Sequence, residues 1–107
     1  MQQDKEIARF CRVLSVETRA SIIRILAERG PLCVGALARE LDVSSGAVSQ
    51  HLRVMRDNGF VDTDRCGYYI HYHLTPGLEA KMRQLVDTLL SNANRADNEG
   101  CRRKVER

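Results

Sequence analysis

The sequence contains no tryptophan, only two phenylalanines and two prolines, and 5% aromatic residues in all. A core built from it must therefore rest on aliphatic side chains. No apolar run approaches the roughly 20 residues that span a bilayer as a helix. The opening MQQDKEIARF carries charge where a secretory signal needs an apolar stretch. These absences predict a cytoplasmic protein with no membrane partner. Charge of one sign is also scarce in excess: Lys+Arg 17 against Asp+Glu 14 leaves a net of +3, which permits a polyanionic partner without demanding one. The four cysteines, Cys11, Cys33, Cys66 and Cys101, form no Cys-x-x-Cys pair, so a zinc finger or thioredoxin-type site has no support, and in a reducing cytosol they are expected as thiols. No phosphate loop, carboxylate pair or nucleophile–base motif stands out, so the chain is not expected to be an enzyme. With 107 residues it has the length for one domain with a modest core, small enough to gain stability by dimerising.

What is present is periodicity. Ile7, Phe10, Cys11 and Leu14 recur at i, i+3, i+4, i+7 and predict a helix over 3–14. Ser15 reads as the cap of a second helix, which carries Ile22, Ile23, Ile25 and Leu26 and stops at Gly30-Pro31. A third helix is expected from about Cys33 to Leu41 and a fourth from about Ser45 to Asn58, with Asp42-Val43-Ser44 between them. Phe60 to Asp64 reads as a strand, Asp64-Arg65-Cys66-Gly67 as a turn, and 68–74 as an alternating strand. Thr75-Pro76 reads as the start of a fifth helix with the stripe Leu78, Met82, Leu85, Val86, Leu89 and Leu90. The predicted fold is mainly α with a β-hairpin: four helices, the hairpin, a last helix. Residues 1–92 form one domain, and the polar residues 93–107 read as a flexible tail.

The third and fourth helices are spaced as in a DNA-binding helix-turn-helix. On the fourth, Val48, Leu52 and Met55 fall on one side and should enter the core. Ser45, Gly46, Ser49, Gln50 and Arg53 fall on or near the other. A first turn of small residues lets the backbone approach a groove wall. Gln50 suits adenine or a phosphate, Ser49 either, and Arg53 guanine or a phosphate. His51 flanks the buried stripe, as a half-buried hydrogen bonder or a backbone contact. The hairpin then reads as a wing along the DNA backbone, with Arg65 at its tip as a phosphate contact.

These stretches resemble the ArsR/SmtB family of winged-helix repressors. LSVETRASIIRIL is similar to its Leu-x-x-x-x-Arg-x-x-Ile-Leu opening. LCVGALARELDVSSGAVSQHLRVMRDNGFV is similar to its helix-turn-helix, with Ser49, His51, Leu52, Gly59 and Val61 in place. RCGYYIHYHL is similar to its wing, with Gly67, Tyr72 and Leu74. The resemblance covers about residues 10–76. It implies a homodimer joined through the first and last helices, bound to double-stranded DNA at an imperfect inverted repeat and released by an inducer. The wing departs from the family's frequent Arg-Glu-Gly-Arg: Arg65-Cys66-Gly67-Tyr68 lacks one positive and one negative charge.

The inducer is read from the thiols. The family's arsenic site resembles Glu-Leu-Cys-Val-Cys, often with a further Cys one turn on. Here Cys33 matches, while Gly35 and Ala38 stand at the other two positions. As(III) or Sb(III) wants two or three thiolates, so Cys11 or Cys101, from either chain of a dimer, would complete the site; a soft metal ion is the related option, and DNA binding itself requires no cofactor. The family's Asp-x-His with a later His-x-x-Glu is absent, which disfavours a zinc sensor of that type. Each thiol also has a plainer reading. Cys11 sits in an apolar stripe as a buried thiol, Cys33 packs, Cys66 is an incidental surface thiol, and Cys101 lies in a basic tail. His71 and His73 share a strand face that simply tolerates polar residues. Three functions compete: a metalloid- or metal-released repressor, a thiol-oxidation or persulfide-responsive repressor using the same cysteines, and a winged-helix protein-interaction module that no longer reads DNA.

Overall fold

The computed structural model describes residues 2–90. The elements run α1 (Gln2–Leu14), α2 (Glu17–Arg29), β1 (Leu32–Cys33), α3 (Val34–Leu41), α4 (Ser45–Asp57), β2 (Val61–Cys66), β3 (Tyr69–Leu74) and α5 (Leu78–Leu89). The expected helices and hairpin are all present. One element is new: the two-residue β1 pairs with β3, so the wing is a three-stranded antiparallel sheet in the order β1-β3-β2. Two residues are too few to leave a periodicity in sequence, and only their pairing with Tyr72 and His71 makes them a strand.

The core is aliphatic, as the missing aromatics require. Ile22, Leu37, Val48, Leu52, Met55 and Phe60 are fully buried. Among the described residues one aromatic pair, Phe10 on Phe60 with centroids 4.3 Å apart, ties α1 to the start of the hairpin. α3 ends at Asp42, the one non-glycine residue with positive φ among those described (56°), a conformation that short polar side chains tolerate. The Val43 N–H then donates to the Ala38 carbonyl at 3.2 Å, which closes the turn between α3 and α4. The Ser44 hydroxyl accepts from the Ala47 N–H at 3.1 Å and caps α4. At the other end Gly59 (φ 80°) lets the Phe60 N–H reach the Met55 carbonyl at 2.8 Å, the closing bond of a Schellman motif.

Four local expectations are corrected. Ser15 does not cap α2: Val16 holds that position, and the Ser15 hydroxyl instead donates to the Arg12 carbonyl at 2.8 Å, closing α1. α5 begins at Leu78, not at Thr75-Pro76, because Gly77 takes φ 86° and spends the first three residues in a turn. The hairpin turn is Gly67-Tyr68, flanked by the pair Cys66 and Tyr69. Gly67 has φ 63° and Tyr68 a negative φ, the pattern of a type II′ turn that matches strand twist. Arg65 therefore lies within β2, not at the tip. Cys11 is exposed; Val13 takes the buried place on α1. The residues 93–107 and Cys101 lie outside the described residues.

Candidate nucleic-acid interface

α4 shows the division its sequence predicts. Val48, Leu52 and Met55 are fully buried, while Ser45, Gly46, Ser49, Gln50 and Arg53 are exposed. Nothing lies within 4 Å of where a Cβ on Gly46 would stand, so the first turn is open to an approaching surface. The buried face fixes the helix on the domain, and the exposed face is thereby held at a set angle without using its own side chains.

His51 is half-buried, and its Nδ1 accepts from the Arg19 Nε–H at 3.3 Å. That contact couples α4 to α2. Of the two roles open to His51, the structure supplies partners for the orienting one.

The hairpin extends the same surface. Tyr72 of β3 lines a groove with Ser49, Leu52, Arg53, Arg56 and Asp57 of α4. Arg65 shares the sheet face of Tyr72, because Thr63 is the cross-strand partner of Tyr72 and Arg65 lies two residues further along β2. Its exposed guanidinium thus continues the face that meets α4. Arg56 is the basic residue that sequence reading missed. Its place one turn after Arg53 was a usable signal, but it stands beside Asp62, with Nε to Oδ1 at 3.8 Å, only once the hairpin folds back. A helix with a bare first turn, two arginines along its exposed side and the Arg65 guanidinium on the hairpin strand beside it make a surface able to follow a phosphate backbone while placing Gln50 and Arg53 at base edges.

The cysteines separate. Cys11 lies in a wholly apolar groove of about 110 Å³ between α1 and α5, with Ile7, Phe10, Leu14, Met82, Leu85, Val86 and Leu89. Cys33 is half-buried and lines a different cleft of about 650 Å³, with Arg39, Tyr69, Ile70 and His71. Cys66 is exposed, as expected. Among the described residues no group of three or more His, Cys, Asp or Glu is placed to hold a metal ion. His73 has partners of its own: its Nε2 lies 3.2 Å from Asp64 Oδ2, and its Nδ1 lies 2.9 Å from the Leu74 carbonyl. No helix among the described residues is long and apolar enough to cross a membrane.

This fold and this surface define a winged helix-turn-helix protein of the DNA-binding class. The model of the bacterial regulatory protein arsR family matches residues 17–63. An arsenic resistance transcriptional regulator of Pseudomonas putida is 37% identical over 87 residues, 79% of this chain and 76% of that protein. The arsenical resistance operon repressor of Escherichia coli is 36% identical over 76 residues, 71% of this chain and 65% of that protein's length. An ArsR-like transcriptional regulator from a Rhodococcus species superposes with a TM-score of 0.71 at 30% identity, covering 95% of this chain and 86% of that one. The chain belongs to the ArsR family of winged helix-turn-helix transcriptional repressors.

Proposed function

We propose that the chain acts as a homodimeric repressor that grips an imperfect inverted repeat with two copies of α4 and is released by a thiophilic inducer, As(III), Sb(III) or a soft metal ion, at Cys33. The observation that carries the DNA reading is the exposed face of α4: Ser45, Gly46, Ser49, Gln50 and Arg53 stand free, with Arg65 on the adjoining strand face. The dimer is supported by α1 and α5. Val86, Leu89 and Leu90 are 52%, 61% and 69% exposed, next to the apolar groove that holds Cys11. An apolar strip of this kind is what an obligate interface covers.

The inducer site centres on Cys33 because it matches the family's arsenic motif and sits at the start of α3, the helix that supports α4. Two relatives bear names of arsenic resistance regulators, which supports a metalloid. Because Cys11 and Cys33 of one chain line separate grooves, the second thiolate comes from Cys11 of the other protomer or from Cys101 of either. Binding favours a dimer whose recognition helices no longer match successive major grooves, and a coupling of about 1–3 kcal/mol lowers DNA affinity roughly 5–150-fold.

The test is fluorescence anisotropy of reduced protein on DNA from upstream of its own gene, titrated with arsenite and separately with oxidant. Release by arsenite, lost in Cys33→Ser, supports the metalloid site; release by oxidant alone replaces it with a thiol switch. Arg53→Ala should weaken binding by about 1–3 kcal/mol if it reads a base. Absence of binding even at low salt would sink the repressor reading and favour a protein-interaction module.

A further inference from the structure

The cleft around Cys33 holds more than a thiol. Cys33 and His71 are direct cross-strand partners of β1 and β3. Their side chains therefore share a face, with Cβ atoms about 4.5–5.5 Å apart. His71 is half-buried and lines the cleft beside Cys33; on its other side it faces Asp64, its cross-strand partner on β2, whose Oδ2 lies 3.2 Å from His73 Nε2. Arg39 is the charged residue of the lining. Its Nη1 stands 3.7 Å from where a Cβ on Gly35 would be, two residues from Cys33, and it makes no ion pair or hydrogen bond among the described residues. Because the chain turns into α3 at Val34, β1 covers β3 only at His71 and Tyr72. Tyr69 and Ile70 pair with β2 on one side and present a strand edge to the cleft on the other.

A thiol beside a base, a free guanidinium and a short open strand edge fit one ligand chemistry: a small anionic peptide carrying a disulfide. The edge offers backbone groups to the peptide's amides, as in strand addition. Arg39 takes a carboxylate. We propose that Cys33 is the site of mixed-disulfide formation with an anionic cysteinyl peptide, with Arg39 as the specificity residue and His71 as the proton carrier. His71 accepts the proton of the Cys33 thiol, and the thiolate attacks one sulfur of the incoming disulfide. The Cys33–peptide S–S bond forms as the ligand's own S–S bond breaks. The Cys33 sulfur is oxidised, the departing sulfur is reduced, and the departing thiolate takes the proton from His71, so no further oxidant is needed. The adduct adds carboxylates at the start of α3, on the sheet face opposite Arg65, and lowers DNA affinity by lowering the net positive charge of the domain. Only this last consequence rests on the DNA-binding reading.

The experiment is incubation of the reduced full chain with oxidised glutathione and, separately, with the neutral hydroxyethyl disulfide, followed by intact mass and peptide mapping. The adduct should map to Cys33 and vanish in Cys33→Ser. Arg39→Ala should slow reaction with glutathione disulfide about tenfold while leaving the neutral disulfide unchanged. His71→Gln should slow both near neutral pH, and the difference from wild type should shrink as the pH is raised. An adduct mapping to Cys11, Cys66 or Cys101, or equal rates for Arg39→Ala and wild type with the charged disulfide, would overturn the proposal. Circular dichroism of each variant separates misfolding from these outcomes. If the adducted protein keeps full DNA affinity, the switch is lost and the site remains. If unmodified protein binds no DNA, the repressor reading fails and the mapped adduct still stands.

Discussion

The two grooves that hold Cys11 and Cys33 look alike in sequence and differ in chemistry. Each cysteine is preceded or followed by apolar residues at helical or strand spacing. In the folded chain, Cys11 is ringed by aliphatic side chains, Phe10 and Met82, between α1 and α5. Cys33 has an imidazole, a guanidinium and two tyrosines around it. The first surroundings suit burial by another apolar surface, the second suit a polar ligand. A cysteine's role is thus set by what the fold brings to it from elsewhere: Met82 and Leu85 in one case, His71 in the other.

The largest effect should come from undermining the Cys11 groove from below. Phe60 is fully buried and stacks on Phe10, which lines that groove. Phe60→Ala is expected to cost about 3–5 kcal/mol in urea denaturation. The surface of the same groove can be altered without touching its floor. Leu89→Glu puts a charge on an exposed apolar residue. It should leave monomer folding within about 0.5 kcal/mol. The same change should split the proposed dimer in sedimentation and weaken DNA binding about 100-fold or more through lost bivalency. A dimer that survives this change would move the interface elsewhere.

The comparison itself is tested by thiol variants. Cys33→Ser should abolish the arsenite response in the anisotropy assay. One of Cys11→Ser and Cys101→Ser should do the same and so identify the second ligand. If both retain the response, the proposed completion of the site by Cys11 or Cys101 is wrong. The smallest effect concerns how α1 and α5 are held together. Glu6 Oε2 lies 2.6 Å from Lys81 Nζ, and this hydrogen bond holds the Glu6 carboxyl below the usual carboxylate range. A lowered folded value means that the pair's contribution is present above the unfolded value of about 4.3 and is lost as pH falls through the folded one. The Tm of Glu6→Gln should sit slightly below wild type at pH 6, and the gap should close towards pH 3. A gap that widens in acid would contradict the assignment.

Much of the DNA surface was legible in advance because it lies on one helix. Val48, Leu52 and Met55 repeat with the helical period, so their burial dictates that Ser49, Gln50 and Arg53 point outward. The Cys33 cleft was not legible in the same way. His71 lies on a strand 38 positions further on, and the alternation of β3 shows which residues share its face but not which strand lies beside it. Arg39 reads as an ordinary exposed residue of α3 until the wing is placed against it. The expected burial of Cys11 failed for a related reason. Periodicity marks an apolar stripe, but whether that stripe faces the core or the surface depends on what packs against it.

By itself, then, the sequence determined the helices, the hairpin, the inward and outward faces of α4 and the family. Those features are encoded by residues close together along the chain, through spacing, caps and turns. Tertiary structure alone decided the third strand, the position of the wing turn relative to Arg65, the parting of Cys11 from Cys33 and the meeting of Cys33 with His71. Each of these is a pairing between distant segments or a turn placed by strand register. Register is set by the aggregate fit of strands and core side chains, which no short stretch of sequence records.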